Sequence, residues 1–302
     1  MSDIDIFFYC FNHSQFLNQA LDSIKYQTNI NINKLIIIDD GSEDKSSIIL
    51  LNWAEKNKNW IDNNVQYFDL RIRKSVENQG QTSTLLEGLS ENTAKYLAIL
   101  EGDDYWISDC HLSELIKVLE DANWISAAFS SWISMTPWNE IKEVRSPRNI
   151  SDISEHIYDS KKLLKFNAPG TLSACVYRGE LVREILPLAK QCKLISDFGL
   201  NLFMTQFGPL YFSSRISLNY RYIEKSAWRS INFKQQEKII QKILADYAAL
   251  VIPEVGALIR EHLSKLETKN EVTQVIRYSI LHPRTAFLIF LRKMNQLRKV
   301  AR

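Results

Sequence analysis

The sequence predicts an α/β fold, a mostly parallel sheet flanked by helices, with a helical extension at its C-terminal end. Three observations carry that expectation. Apolar runs alternate with helical patterns over the first hundred residues, as parallel β-α-β units require. Two of those runs, Leu35-Ile36-Ile37-Ile38 and Tyr96-Leu97-Ala98-Ile99-Leu100, stop abruptly at the acidic clusters Asp39-Asp40 and Glu101-Gly102-Asp103-Asp104. Beyond about Ser230 every strong pattern is helical.

Taken in order, residues 4–10 read as a first strand, and Ser14 opens a helix whose Phe16, Leu17, Ala20, Leu21 and Ile24 share one face. Residues 35–38 give a second strand and 44–56 a second helix, with Ile48, Ile49, Leu51 and Trp53 as its apolar positions. A weaker strand at 65–70, a helix at 81–89 and a strand at 95–100 follow. Residues 111–119 read as a helix and 124–135, rich in β-branched and aromatic side chains, as strand-like. Pro137, Pro147 and Pro169 punctuate a less regular stretch. A strand at 172–177 and a helix at 197–206, opening on an acid, precede a boundary near 215–230. The chain thus divides into residues 1–228 and a helical region, 229–302.

At 302 residues the chain has the length of one large domain with an appendage, or of two domains. Its apolar and charged fractions, 45% and 24%, are those of a globular protein, and no run approaches the ~18 apolar residues of a membrane span. The start, Met1-Ser2-Asp3-Ile4-Asp5, is acidic where a secretory signal would be basic, so the expected location is cytoplasmic. Cys10, Cys110, Cys175 and Cys192 are scattered, which predicts buried reduced thiols rather than a disulfide framework or a zinc site. The net charge of +2 hides an asymmetry: residues 272–302 hold seven cationic side chains and no acid, leaving −5 for the rest. In that tail Phe287, Leu288, Phe290, Leu291, Met294 and Leu297 fall at helical spacing among Arg284, Arg292, Lys293, Arg298 and Lys299. Such a helix suits peripheral contact with an anionic membrane surface, or docking on the body of the protein or a second copy. Nucleic acid is not the expected partner, because basic residues concentrate at one end only.

In an open α/β sheet, ligands bind beyond the carboxyl ends of the strands, so the two acidic clusters are expected to converge on one crevice from neighbouring strands. Two like charges about 4 Å apart repel by roughly 4 kcal/mol at an effective dielectric of 20, so Glu101, Asp103 and Asp104 call for a cation, a proton or open water. Oxygen-only ligands favour Mg²⁺ or Mn²⁺; a solvated acidic turn is the plainer alternative. Tyr105 and Trp106 offer aromatic faces for a base or sugar. Asp39-Asp40-Gly41-Ser42 suits the donors of a base and ribose, and equally an ordinary turn with a helix cap. The five histidines show no ligand spacing.

The order of these pieces resembles the inverting glycosyltransferases of the GT-A fold (Rossmann-like), in particular the large family 2 of nucleotide-sugar transferases. The matching segments are Tyr9-Cys10-Phe11-Asn12-His13, Ile36-Ile37-Ile38-Asp39-Asp40-Gly41-Ser42-Glu43-Asp44, Asn78-Gln79-Gly80 and Tyr96 to Trp106. Gly170-Thr171-Leu172 with Tyr177-Arg178 resembles the segment leading to the acceptor side, and Ser196-Asp197-Phe198-Gly199-Leu200 the catalytic acid motif. The resemblance covers about residues 3–228 and implies a GT-A catalytic domain there. It implies that Asp40, with Asp39, holds the base or ribose, that Asp103 faces ribose and metal, and that Asp104 coordinates a divalent Mn²⁺ or Mg²⁺. Asp197 would be the general base. Tyr9, Asn12, Ser42, Asn78, Gly80, Trp106 and Trp228 complete the implied nucleotide-sugar site, Trp228 with Ser226 in a segment that closes over the donor or packs on the core.

The implied reaction moves one sugar from a nucleotide-diphosphate donor, UDP being the expected nucleotide, to a glycan or lipid-linked oligosaccharide during surface polysaccharide assembly. Single transfer is expected because the Gln-x-x-Arg-Trp motif of processive synthases is absent. Where many relatives carry Tyr-Arg-x-His, this chain reads Tyr220-Arg221-Tyr222-Ile223, and Ile223 cannot ligate a metal. Two other classes stay open: a sugar-phosphate nucleotidyltransferase, whose Gly-rich loop is replaced by Phe11-Asn12-His13, and a non-catalytic nucleotide-sugar-binding protein of the same fold.

Overall fold

A computed structural model describes residues 3–136, 138, 140–223 and 231–267. The strands are β1 (Asp3–Cys10), β2 (Asn31–Asp39), β3 (Val65–Ile72), β4 (Tyr96–Glu101), β5 (Tyr105–Trp106), β6 (Ala127–Met135), β7 (Ile141–Arg145), β8 (Ile157–Tyr158), β9 (Cys175–Arg178) and β10 (Leu210–Asn219). The helices are α1 (Leu17–Lys25), α2 (Ser46–Lys56), α3 (Lys58–Asn64), α4 (Gly80–Ser90), α5 (His111–Asp121), α6 (Ile153–His156), α7 (Ser160–Lys165), α8 (Gly179–Ala189), α9 (Asp197–Met204), α10 (Phe233–Ala248) and α11 (Pro253–Glu267).

Among the described residues all ten strands join one sheet, in the order β3-β2-β1-β4-β9-β6-β10-β5, with β7 on β6 and β8 on β10. β1 to β4 run parallel, as do β6 and β10, whereas β9 is antiparallel to both its neighbours. β1 from Ile6 to Cys10 and β4 from Tyr96 to Leu100 read as unbroken apolar runs, as strands of a parallel sheet covered on both faces do. From β1 the chain steps outward to β2 and β3, then returns to the other side of β1 for β4. That reversal is the switch point of the sheet, and it leaves a crevice beyond the carboxyl ends of β1 and β4.

The opposite end of β1 is tied down by a buried carboxylate. Asp5 accepts hydrogen bonds from Asn33 Nδ2 (2.7 Å), Asn92 Nδ2 (3.0 Å) and the backbone N–H groups of Thr93 (2.6 Å) and Ala94 (2.8 Å), which satisfy a charge that burial would otherwise make costly. On β9, Arg178 donates to the carbonyls of Leu119, Ala122 and Ile125, closing the C-terminal end of α5 with a cation. α10 and α11 lay Ile243, Leu244, Tyr247, Val255 and Ile259 into the same buried core as the sheet, with Val251 from the turn between them.

The structure corrects several sequence expectations. α1 begins at Leu17, three residues after Ser14, because residues 11–16 form the turn that leaves β1. In α2 the buried stripe is Ser46, Leu50 and Trp53, while Ile48 and Leu51 are 57% and 54% exposed. Trp53, anchored through Nε1 to Asp22 at 3.0 Å, sets the rotation of the helix. The expected strand at 172–177 starts as a 3-10 turn over Leu172–Ala174, capped by the Thr171 hydroxyl, and becomes β9 only at Cys175. β10, an inner strand, lies where a boundary was expected to begin; a register shift between Phe212 and Ile216 breaks its alternation. Cys110 is only partly buried, unlike the other three thiols. The amphipathic tail of 272–302 lies outside the described residues.

The approach of α4 to β1 makes one residue critical. A Cβ on Gly88 would stand 2.2 Å from the Phe7 ring, in the centre of the sheet. Gly88→Ala is expected to cost roughly 1–3 kcal/mol through overpacking, seen as a lower midpoint in urea unfolding, with part of the loss recovered by Phe7→Leu in the same chain. An unchanged midpoint would mean that α4 lifts off the sheet at no cost.

Candidate active site

The switch point brings the ends of three strands together. Tyr9 pairs in register with Glu101, and Cys10 with Asp39, so β1 stands between the two acidic clusters. The strands that carry them are therefore not neighbours, as expected from sequence, but flank a shared centre. The Tyr9 hydroxyl donates to Glu101 Oε1 at 2.7 Å. The Thr171 hydroxyl lies 3.1 Å from Glu101 Oε2 and 3.2 Å from Asp104 Oδ2, and its single proton serves only one of them at a time. Asp104 Oδ1 accepts the backbone N–H of Arg221 at 3.2 Å. Asp103 is more open, 3.8 Å from His13 Nε2.

Negative charge is in surplus here. Burial, then the charge of Asp103, pushes Glu101 up to about 7. Burial, then Asp103 and Glu101, holds Asp104 well above the usual carboxylate range. Among the described residues no Lys or Arg forms an ion pair with Glu101, Asp103 or Asp104. The Arg221 guanidinium acts on Asp103 and Asp104 only at longer range. It is stacked between the rings of Phe16 and Tyr105, 4.7 Å from each, and donates to Gln19 Oε1. With Asn219 and Ile223 these residues line a cavity of about 100 Å³. Carboxylates that resist ionisation for want of a counter-charge suit a divalent cation. Among the described residues no three His, Cys, Asp or Glu side chains form a metal-holding group. An ion on Asp104 and Asp103 would therefore take phosphate and water oxygens for the rest of its shell, as Mg²⁺ commonly does.

Asp197 opens α9, with Ser196 as N-cap accepting from the Gly199 N–H. Burial raises its pKa, and a 2.7 Å hydrogen bond from Asn167 Nδ2 opposes the rise. Its charge contributes to the upward shift of Glu101, and Asn167, which holds Asp197, lies four residues before Thr171, which holds Glu101 and Asp104.

The remaining candidates are placed as follows. Asp39 is fully buried and accepts from both the N–H and the hydroxyl of Ser42. Asn12, at φ 57°, donates its N–H to Ser42 Oγ and accepts from the Glu43 N–H, locking the turn after β1 to the turn after β2. Asp40 pairs with Arg73 at 2.5 Å and accepts the N–H groups of Gln79 and Gly80. Asn78 donates to the Asp40 carbonyl. Trp106 does not offer its face to a ligand: it is 3% exposed, its indole N–H donates to the Ser173 carbonyl at 2.8 Å, and its ring stacks on His111. Tyr105 takes the outward position instead. Tyr177 and Arg178 lead away from the crevice, because β9 is antiparallel to β4. Trp228 lies outside the described residues.

Sequence reasoning did not place Arg73, Asn167, Arg145 or His13 at the site. Arg73 had one visible sign, a cation two residues beyond Arg71 at the end of an apolar strand. His13 ends the quoted segment after β1, but no ligand spacing marked it, whereas Asn167 and Arg145 reach the site through long-range packing that no local pattern records.

Residues 5–183 match the family profile described as Glycosyl transferase family 2. An uncharacterized glycosyltransferase of Nostoc sp. is 24% identical over 180 residues, 59% of this chain and 51% of that protein. Glycosyltransferase GlyA of Streptococcus pneumoniae is 29% identical over 107 residues, 35% of this chain and 14% of that one. The chain thus spans about half or less of the length of these curated relatives. Among solved structures, S. aureus TarS 1–349 in complex with UDP-GlcNAc superposes with a TM-score of 0.60 at 13% identity, covering 87% of this chain and 72% of that one. The mannosyltransferase PcManGT from Pyrobaculum calidifontis, in complex with GDP-Man and Mn²⁺, gives 0.57 at 13%, covering 97% and 82%. With the profile matched over more than half of the chain, the chain belongs to glycosyl transferase family 2, and the solved structures show that it has the GT-A fold.

Proposed function

We propose that this glycosyltransferase moves a single sugar, with inversion, from a nucleotide-diphosphate sugar to a hydroxyl of a glycan or lipid-linked oligosaccharide. The observation that supports the reading best is the uncompensated carboxylate cluster at the β1/β4 switch point, with Asp197 held by Asn167, four residues before the Thr171 that holds Glu101 and Asp104. TarS has been solved with UDP and with UDP-GlcNAc, and PcManGT with GDP-Man and Mn²⁺, which supports a nucleotide-sugar donor. UDP is the nucleotide proposed here, surface polysaccharide assembly the setting, and the cytoplasmic side of the membrane the location. No helix among the described residues is long and apolar enough to cross a membrane, so membrane contact is assigned to the basic tail.

In this mechanism Tyr9 and Thr171 orient Glu101, and Thr171 with the Arg221 N–H orients Asp104, so that the acidic turn is set before substrate arrives. Asp40, held by Arg73, and the turn of Asp39, Ser42 and Asn12 shape the wall for base and ribose, with Asn78 and Gly80 closing it. Tyr105 replaces Trp106 as the aromatic face. Asp104 and Asp103 would hold a divalent ion, which would supply positive charge to the departing diphosphate. Asp197 takes the proton of the acceptor hydroxyl as its oxygen bonds to the anomeric carbon and the diphosphate leaves with the bonding electron pair. Ile223 favours a second reading, a binding protein without turnover, because a metal-ligating His stands there in many relatives.

Three outcomes are expected. One nucleoside diphosphate from a panel of UDP, GDP, CDP, dTDP and ADP should raise the melting temperature by a few degrees at about 100 times its Kd, equivalent to about 2.7 kcal/mol, and only with Mn²⁺ present. No shift with any of them would overturn the donor assignment. Asp197→Asn should keep that stabilisation and lower kcat by roughly 10²- to 10⁴-fold; equal turnover would remove Asp197 as the base, and no turnover in the parent would favour the binding protein.

The third concerns pH. Glu101 has a folded pKa raised from 4.5 to about 7, so its contribution to stability is fully present below about pH 4.5 and is lost as pH rises through 7. In metal-free protein the urea midpoint should therefore fall between pH 5 and 8, and Glu101→Gln should flatten part of that slope. A slope identical in the variant would assign the effect to other groups.

A further inference from the structure

The segment between α7 and the 3-10 turn, residues 166–171, is held with unusual completeness. Three alternate carbonyls are each caught by a side chain: Asn167 O by Arg145 Nη1 (2.6 Å), Pro169 O by Trp132 Nε1 (2.7 Å) and Thr171 O by Cys175 Sγ (3.6 Å). Ala168 is fully buried between them. Gly170 sits at φ 66°, and a Cβ there would lie 2.6 Å from Arg145 Nη1 and 3.0 Å from the Trp132 ring. Arg145 is itself clamped, 4.5 Å over Trp132 and 5.0 Å over Phe166, with Nη2 donating to Glu143 at 2.8 Å.

Such a loop presents two side chains to the crevice, Thr171 to Glu101 and Asp104, and Asn167 to Asp197. The Asn167 amide carries a cost that packing does not explain, since its Oδ1 is buried without a partner among the described residues. The orientation of the amide is thus set by the one bond its NH₂ makes, to Asp197 Oδ2.

We propose that Asn167 is a positioning residue for Asp197: presented by the clamped loop 166–171, it pins one carboxylate oxygen and leaves the other for the acceptor hydroxyl. This rests on the reading of Asp197 as the general base. A donor aimed at a carboxylate favours its ionised form, the form a base must have. The other charged and titratable groups that face Asp197 are Glu101 on β4, Arg145 on β7, Cys175 and Tyr177 on β9 and Tyr247 on α10. Arg145 touches residue 167 only through its backbone carbonyl, which a side-chain substitution keeps, so two different substitutions that give the same shift in the titration of Asp197 assign it to the amide.

The test is ¹³C-carboxyl NMR titration of the full chain labelled at Asp, with Asp197→Asn identifying the resonance. In Asn167→Leu the Asp197 resonance should titrate about one to two pH units higher, the equivalent of one lost hydrogen bond to a charged group. Asn167→Ser, which takes the donor out of reach but stays polar, should do the same and serves if the leucine variant does not fold. An unmoved titration in the folded variant overturns the proposal and leaves Asp197 as base. Release of nucleoside diphosphate from UDP-GlcNAc or GDP-mannose, measured with Mn²⁺, separates the two readings. Should Asp197→Asn release it as fast as the parent, the base assignment falls and the positioning role falls with it.

Discussion

Crowding of carboxylates at the end of β4 is the constraint on which the rest of this structure depends. Glu101, Asp103 and Asp104 stand within four residues of one another, Asp104 fully buried and Glu101 partly so, with no Lys or Arg paired to them among the described residues. A fold gains no stability from such an arrangement, because like charges repel more strongly as the local dielectric falls. It is tolerable because hydroxyl and amide donors, Tyr9, Thr171 and the Arg221 N–H, hold the oxygens in place without cancelling their charge. The site is thereby kept in deficit of positive charge, which is the condition for capturing a cation together with the anionic diphosphate it accompanies.

Around that centre the second acidic pair plays a contrasting part. Asp40 is paired within the protein with Arg73, which also donates to Glu87 and Thr84 on α4, whereas Asp39 has one oxygen held by Ser42 and the other buried without a partner among the described residues. The same network ties Arg71 to Asp69, Glu87 and Glu91. Two clusters that look alike in sequence therefore differ in electrostatic state: one contains a carboxylate paired with a cation, Asp40, and the other contains none among the described residues. The difference comes from β3 and the residue after its end, which deliver Arg71 and Arg73 to one side of β1 and not to the other.

Much of the fold was legible because its signals are local. The apolar runs of β1, β2 and β4 and the helices between them follow from periodicity, and the acids at the strand ends mark where the runs stop. The misreadings share a cause. Trp106 looked like a ligand platform and is a core residue, since whether an aromatic points in or out depends on the strand it pairs with, here β10. Ile48 and Leu51 looked like the buried face of α2 and are exposed, since the rotation of that helix is set by Trp53 on Asp22. β10 escaped notice because its irregular register interrupts the alternation that betrays a strand.

By itself, then, the sequence determined the parallel α/β core, the order of its elements and the acids that end them, because these depend on interactions between residues close along the chain. Only the tertiary structure decided that β1 lies between the acidic clusters, that Asp40 is paired while Glu101 and Asp104 are not, and that Asn167 reaches Asp197. Those outcomes turn on pairs 30 or more residues apart, Asn167 with Asp197, Arg73 with Asp40 and Thr171 with Glu101. Their geometry exists only once the sheet has closed around its switch point, and the charge state of each carboxylate follows from which partners that closure brings.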